Sequence, residues 1–248
     1  MTVKALVTNG VNRAVRPLGV QVVRGWSADP AIQPFLSAKK TMAAAKRAGL
    51  SLCDYIDQYS AEPGATAATV QAMLDLAQIG DRADRVCEIG PGTGRYAEQV
   101  IAALQPATYE VYETAADWLP HLRELPHVKL MPADGRTLAD TATGSVDLVH
   151  AHKVFVYIPL MATVGYLGEM ARVTRPGGAV AFDIVTEGCM DEAVTEHWLA
   201  EGSTLYSMMP RQWTVDLLDR HGLDLLGSAF APLSGGRTEL LVFRKREG

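Results

Sequence analysis

The central part of the sequence alternates short apolar runs with longer stretches in which apolar residues recur at helical spacing. The runs that have the length and composition of strands are residues 85–90, 108–113, 128–133, 146–152 and 179–185. Strands that alternate with helices are typical of parallel sheets, because each parallel connection has to cross one face of the sheet. Two further runs flank Gly235 and Gly236 and can add an antiparallel pair. The pattern predicts an α/β fold with a doubly wound, mostly parallel sheet of seven strands.

The N-terminal part of the chain lacks this alternation and has a helical pattern instead. An Ala- and Lys-rich stretch ends at Gly49, a residue that commonly terminates helices. Ser51 and Asp54 then have the spacing of a capping box, which predicts the start of a second helix. We therefore predict a helical cap on the substrate side over residues 1–60 and a ligand-binding domain over residues 61–248, with an insertion at 186–210.

The composition excludes several classes of function. The 248 residues carry a net charge of −5, so no overall field attracts the chain to nucleic acid. The sequence has three cysteines, Cys53, Cys87 and Cys189, and no two of them are close in sequence. This number and spacing fit neither a disulfide framework nor a zinc site. No stretch of the sequence is long and apolar enough to cross a membrane. These features predict a folded cytoplasmic protein that neither binds nucleic acid nor spans a membrane.

A glycine-rich turn follows the first predicted strand. Gly90, Gly92 and Gly94 come directly after Glu88 and lead into a helix that begins near Arg95. Glycine at such a turn permits positive φ angles and lets a ligand approach the backbone closely. The dinucleotide motif would require glycine in place of Arg95, and a P-loop would require Gly-Lys-Ser/Thr. Neither of these two nucleotide-binding motifs fits the sequence.

This stretch resembles the first motif of the class I S-adenosylmethionine (SAM)-dependent methyltransferases, in which an acidic residue precedes Gly-x-Gly-x-Gly. The resemblance implies that SAM is the cofactor and S-adenosylhomocysteine (SAH) its product. It also implies that Gly90, Gly92 and Gly94 lie against the methionine part of SAM, with Glu88 orienting the loop and the amino group. A carboxylate suits this positively charged ligand better than it suits a pyrophosphate.

Three more segments follow in the order that the resemblance implies. Glu113 ends the second predicted strand, where a carboxylate would accept hydrogen bonds from the two ribose hydroxyls. Asp134 and Gly135 end the third strand, where the family's Asp hydrogen-bonds the adenine amino group. The segment ARVTRPGGAVAFDI (171–184) resembles the family's turn into the fifth strand. The resemblance covers most of residues 55–244 and implies the Rossmann-like methyltransferase fold.

The fourth predicted strand ends in two histidines. Side chains alternate along a strand, so His150 and His152 lie on one face of it. The resemblance implies that Ala151 and His152 lie next to the transferred methyl group. At this place the DNA, RNA and protein amide N-methyltransferases have Asn/Asp-Pro-Pro-Tyr/Phe, which this chain lacks. A hydroxyl must lose its proton to become a good nucleophile, and histidine commonly removes it.

We therefore predict that His152 is the general base of an O-methyl transfer and that His150 supports it. The alternative is that these histidines fill polar space beneath the cofactor. The N-terminal part weakly resembles actinobacterial sugar and small-molecule O-methyltransferases. The predicted acceptor is therefore a hydroxyl of a sugar or glycoside, such as a polysaccharide precursor, and more broadly a small molecule or oligosaccharide.

Two alternatives to this function remain open. One is an N- or C-methyltransferase of a small metabolite or lipid, and the other is a SAM-binding subunit without turnover. Association as a homodimer and contact of residues 1–25 with a membrane surface are also open. Lys153 could pair with an acidic substrate or face the solvent. Carboxylates that could bind a sugar, hold Mg²⁺ or form a hydrated loop are Asp183, Glu187, Asp191 and Glu192. Aromatic residues that could contact the acceptor or fill the core are Tyr59, Trp198, Tyr206 and Trp213.

Overall fold

The structure is a computed structural model that describes residues 36–80, 82–201 and 206–247. The first part of the predicted cap, including the segment considered for membrane contact, and residues 202–205 of the predicted insertion lie outside the described residues. Within the described ranges, no helix is long and apolar enough to cross a membrane.

Eight helices and seven strands make up the described part of the chain. The helices are α1 (Ala38–Ala48), α2 (Leu52–Ser60), α3 (Ala65–Ala77), α4 (Arg95–Leu104), α5 (Leu119–Leu122), α6 (Leu160–Val173), α7 (Glu192–Ala200) and α8 (Arg211–Arg220). The strands are β1 (Arg85–Ile89), β2 (Thr108–Tyr112), β3 (Val128–Met131), β4 (Val146–Ala151), β5 (Thr174–Ile184), β6 (Leu223–Leu233) and β7 (Gly236–Lys245).

The strands form one sheet in the order β3-β2-β1-β4-β5-β7-β6. Strands β1 to β5 pair in parallel, whereas β7 lies antiparallel to both β5 and β6. This arrangement confirms the predicted doubly wound, mostly parallel sheet of seven strands. The strand order reverses between β1 and β4, and ligands of open α/β sheets bind in the crevice at such a point.

Apolar side chains cover both faces of the sheet. On one face, Met73 of α3 and Val100 of α4 are fully buried against the strands. On the other face, Leu167 of α6 and Leu218 of α8 are fully buried in a second cluster. Each such side chain contributes about 1.5–3 kcal/mol on burial, so the two layers hold the sheet and fix the positions of its strand ends.

Some local expectations differ from the structure. The predicted fifth strand begins earlier, at Thr174, because Thr174 pairs with Val146 before the register shifts. The connection after β2 forms a single helical turn, α5, which contains Pro120 close to its start. Between β3 and β4, where the alternation of strands and helices predicts a helix, residues 136–140 have none.

The insertion contains helix α7, which packs against the turn between β6 and β7. A Cβ atom at Gly236 would lie 2.5 Å from Cζ2 of Trp198, and a Cβ atom at Gly235 would overlap the ring of His197. The indole of Trp198 donates a hydrogen bond to the Ser234 carbonyl at 3.1 Å. The two glycines therefore do more than make a turn, since they allow α7 to approach the sheet edge.

Candidate active site

A cavity of about 510 Å³ lies at the carboxyl ends of β1, β2 and β4. Its walls come from the glycine-rich loop, the segments after these strands, helix α2 of the cap and the β6–β7 turn. A volume of this size is typical of small-molecule sites, which are usually clefts of about 300–1,000 Å³. The cavity therefore occupies the crevice that the strand order creates.

The glycine-rich loop fits closely between two neighbours. Gly90 has a φ of 63°, and a Cβ atom there would lie 2.7 Å from Cγ2 of Val154. Gly92 also has a positive φ, 51°, but a Cβ there would meet no atom within 4 Å. Position 90 thus requires glycine, because Val154 in the segment after β4 leaves no room for a side chain. The open space at Gly92 instead lets a ligand approach the backbone.

Glu113 joins the end of β2 to this loop. One of its carboxylate oxygens accepts the Gly92 N–H at 2.7 Å, and the other accepts the Ala115 N–H at 2.6 Å. Burial raises the pKa of Glu113, and these backbone hydrogen bonds oppose the shift. Glu113 lines the cavity and each of its oxygens can accept a further hydrogen bond, so the predicted contact with a ribose is sterically available.

Glu88 lies behind the loop and does not line the cavity. Its carboxyl group accepts a hydrogen bond from the Tyr109 hydroxyl at 2.7 Å. The same hydroxyl lies 2.8 Å from Nε2 of His150, which is Glu88's neighbour in the pairing of β1 with β4. Burial raises the pKa of Glu88 to about 8. Orientation of the SAM amino group by Glu88 stays a prediction.

Replacement of Glu88 by Gln is expected to stabilise the protein relative to the original, and the gain in the free energy of unfolding should grow as the pH rises. Because burial raises the folded-state pKa to about 8, above about 4.3 in the unfolded chain, the native protein loses stability as pH rises between these values. The amide does not titrate and still accepts a hydrogen bond from Tyr109. The free energy of unfolding is measured in urea. The difference between the variant and the original protein should therefore increase by up to about 1.4 kcal/mol for each pH unit between pH 5 and 8. A difference that is constant with pH would contradict the assignment.

The remaining predicted cofactor contacts lie at the ends of β3 and β4. Asp134 is exposed, and one of its oxygens accepts the N–H groups of Arg136 and Thr137 at 2.8 and 2.7 Å. Gly135 lines the cavity, whereas Ala151 is buried directly before His152. Asp134 therefore holds the turn after β3, and its contact with adenine stays a prediction.

His152 lines the cavity and is only 4% exposed. Its ring stacks on Tyr96, the second residue of α4, with 4.4 Å between ring centroids. Neither of its ring nitrogens has a hydrogen-bond partner among the described residues. Burial lowers the pKa of His152 to about 4, although Asp183 opposes the shift, so the ring is neutral at pH 7. A buried nitrogen without a partner is costly, and a ligand in the cavity can satisfy it.

His150 lies deeper in the fold than His152. It is completely buried, and its ring centroid lies 5.2 Å from that of His152. Its Nε2 contacts the Tyr109 hydroxyl, whereas no described residue partners its Nδ1. His150 does not line the cavity, so any support it gives to His152 comes from beneath.

The side chain of Lys153 is largely buried and already paired, so it is neither exposed to solvent nor available to an acidic substrate. Its backbone N–H and its ammonium group contact the two oxygens of Asp183, each at 2.6 Å. Although burial opposes ionisation, Lys153 holds the pKa of Asp183 below its usual value. Lys153 has a positive φ of 56°, a strained angle for a side chain of this size, and Asp183 stabilises it. The pair fixes the backbone directly after His152.

Asp57 and Arg95 form a second buried ion pair at the cavity, at 2.8 Å. Arg95 begins α4 directly after Gly94, and its guanidinium carbon lies 4.8 Å from the centroid of the Tyr96 ring. Asp57 belongs to α2 and also accepts hydrogen bonds from the backbone and hydroxyl of Thr66. The pair therefore joins the cap to the glycine-rich loop.

The other residues considered at the cavity are dispersed. Glu187 accepts the Arg211 N–H, and Asp191 caps α7 and pairs with Arg237. Among the described residues, no group of three or more His, Cys, Asp or Glu could hold a metal ion, so the Mg²⁺ hypothesis gains no support. Tyr59 and Tyr206 line the cavity, Trp198 packs on Tyr206 from behind, and Trp213 is partly exposed on α8.

Comparison with known proteins relates the sequence and the fold to those of methyltransferases. The model of the family described as "Methyltransferase domain" matches residues 86–178, from β1 to the bulge in β5. Residues 86–178 belong to a methyltransferase domain. No curated protein sequence matches the chain.

Solved structures share the fold of this chain at low sequence identity. An O-methyltransferase family protein from Burkholderia thailandensis is 21% identical with a TM-score of 0.55, and the match spans 74% of this chain and 59% of that protein. Magnesium protoporphyrin IX methyltransferase from Synechocystis, solved with SAH, is 12% identical over 98% of this chain and 99% of that one, with a TM-score of 0.55. An N-methyltransferase from Bradyrhizobium japonicum, also solved with SAH, is 14% identical over 73% and 87%, with a TM-score of 0.53.

The cavity of the methyltransferase domain fits SAM. Its loop leaves space at Gly92 where no side-chain atom stands, and Glu113 presents a carboxylate at the end of β2. His152 brings unpartnered nitrogens to the same cavity. These groups would hold the amino acid part, the ribose and the region of the methyl group, respectively.

The two ion pairs beside this site were not predicted from the sequence. Arg95 directly follows the last glycine of the loop, so its position in the sequence indicated that it lies near the site. Asp57 and Asp183 lie 38 and 30 residues from their partners, and the sequence has no local pattern that joins them.

Proposed function

We propose that this chain is an O-methyltransferase in which His152 accepts the proton of the acceptor's hydroxyl group. The observation that carries the proposal is the neutral, unpartnered imidazole of His152 in the wall of the cavity. When bound, SAM would supply a methyl group carried on a positively charged sulfur: a bond would form between the acceptor oxygen and the methyl carbon, the bond from that carbon to sulfur would break, and the sulfur would keep the electron pair in SAH.

The surrounding residues support this use of His152. Stacking on Tyr96 restricts the imidazole to one plane, and the pair of Lys153 with Asp183 fixes the backbone that follows it. Both ring nitrogens lack competing donors among the described residues, so one of them can meet a hydroxyl. Enclosure of the ring excludes water, which would otherwise compete with the acceptor. Alignment and water exclusion are the main contributions that an enzyme makes to this displacement.

The pH profile tests this assignment. His152 accepts a proton only as the neutral ring, and because burial lowers its pKa to about 4, activity should be nearly constant from pH 6 to 8. It should fall as the pH drops towards 4, whereas an ordinary histidine base would be half protonated near pH 6.5. The measurement is kcat/KM against pH in the range where the protein stays folded. A midpoint near pH 6.5 would contradict the buried environment of His152.

A methyl-transfer screen with labelled SAM tests the reaction class. The screen should include phenols, sugars, glycosides, amines and lipids, with the linkage of each product assigned by mass spectrometry. Methylation at oxygen supports the proposal. Methylation at nitrogen or carbon, or SAM binding without any transfer, would favour one of the two alternatives.

We also propose that residues 1–60 form a substrate-side cap on a methyltransferase domain of residues 61–248. Ile56 and Tyr59 support the position of the cap, since both belong to α2 and line the cavity. A sugar or glycoside as the acceptor, association as a homodimer and a cytoplasmic location stay predictions.

A further inference from the structure

Each charged side chain that lines the cavity already has partners within the protein. Arg95 pairs with Asp57, and Lys153 pairs with Asp183. Glu113 accepts backbone N–H groups with both oxygens. An anionic acceptor would therefore find no uncompensated cation among the described lining residues, and a cationic acceptor would find only the carboxylate that faces the expected ribose.

The wall that remains for an acceptor is apolar and aromatic. It includes Ile56, Tyr157, Tyr206 and Leu233. Tyr206 stands between two rings, with its centroid 5.7 Å from that of Tyr157 and 4.6 Å from that of Trp198. These contacts hold the rings in position, so the parts of Tyr157 and Tyr206 that line the cavity give a ligand a fixed surface.

Apart from Glu113, the described lining residues include none of the carboxylate and amide side chains that commonly pair with sugar hydroxyls. Several hydroxyls of a sugar have to be paired when the sugar is buried, because each unpaired one costs free energy. Carboxylate and amide side chains would meet this need, yet none of the described lining residues is Asp, Asn or Gln. The cavity thus favours an acceptor with a large apolar surface and few hydroxyl groups.

We infer that the acceptor is an uncharged phenol, bound with its ring along the wall of Tyr157 and Tyr206 and its hydroxyl at His152. This inference rests on the proposed O-methyl transfer. A phenolic hydroxyl, with a pKa near 10 as in tyrosine, releases its proton far more readily than an aliphatic alcohol does. A weakly basic imidazole such as His152 suits that easier proton transfer.

Binding measurements on the full chain saturated with SAH test the acceptor class separately from turnover. Three probes share the phenol ring and differ in charge: para-cresol is neutral, para-hydroxybenzoate is anionic and tyramine is cationic. Methyl glucoside represents sugars. We expect para-cresol to bind roughly tenfold or more tightly than each of the other three, because an unpaired charge or several unpaired hydroxyls would be buried. Titration calorimetry or ligand-detected NMR gives the affinities.

Variants locate the bound ring. Tyr206→Ala should weaken para-cresol binding by roughly 3- to 10-fold, the loss expected for one aromatic contact, and leave SAH binding unchanged. Tyr206→Phe should retain para-cresol binding. Trp213→Ala, on α8 outside the cavity lining, is the matched control and should change neither affinity.

Each outcome distinguishes the inference from the proposed function. Equal or tighter binding of para-hydroxybenzoate, tyramine or methyl glucoside would overturn the inference, even if their oxygen is methylated. Selective binding of para-cresol would support it, even if no methyl transfer follows and the proposed function fails. The comparison of probes uses the unmodified protein, so it holds if a variant does not fold.

Discussion

Replacement of His152 by Gln is expected to lower kcat by about 100- to 10,000-fold, the usual contribution of a general base. Glutamine is similar in length and polar, but it cannot accept a proton at neutral pH. The glycine-rich loop and Glu113 do not contact the His152 ring nitrogens, so SAM affinity should stay within a small factor of the original. Initial rates with labelled SAM and calorimetric titration of SAH measure the two quantities.

Exposed His221, which follows α8 and is not among the residues that line the cavity, provides the matched control for this experiment. His221→Gln should leave both kcat and SAH affinity unchanged. If His152→Gln retains near-normal turnover with intact SAH binding, the histidine fills space beneath the cofactor and another group takes the proton.

Replacement of Asp183 by Asn is expected to reduce the free energy of unfolding by about 3–5 kcal/mol. Asp183 is fully buried, and the change would leave the Lys153 ammonium group without its counter-charge. The Asn side chain can still accept one hydrogen bond, but it cannot hold both Lys153 contacts with the same strength. Urea unfolding at pH 7 measures the loss.

Two further variants show whether the unpaired charge causes this loss. Asp224→Asn removes a partner of Arg246 from an exposed pair, so it should cost far less stability than Asp183→Asn. The double variant Lys153→Met with Asp183→Asn removes the buried ammonium group as well, and it should regain much of the lost stability. An additive double variant would mean that the two side chains contribute independently.

Patterns repeated along the chain predicted the sheet, the glycine-rich loop and the position of His152 at the end of β4. These features depend on spacing within one segment, which a sequence displays directly. Contacts between distant segments left no such pattern. The partner of Arg95 belongs to a cap helix, and the hydrogen bonds of Glu88 and His150 meet at Tyr109 on a different strand.

The same limit explains why the buried pairing of Lys153 and the packing at Gly235 and Gly236 were not predicted. An isolated lysine next to a strand gives no indication that a carboxylate on the neighbouring strand will bury it. The glycine pair was correctly predicted as a turn, yet its need for glycine comes from a helix that packs on it from another part of the chain. Side-chain size limits at such contacts become apparent only in three dimensions.

Asp57 has a consequence for how this protein can be divided. Its single carboxylate serves Thr66 of α3 and Arg95 of α4, although it belongs to the cap. A fragment that begins at residue 61 would retain the glycine-rich loop but leave the Arg95 guanidinium buried without a counter-ion. The change in sequence pattern near residue 60 therefore does not mark an independent folding unit, and cap and loop are expected to form and melt together.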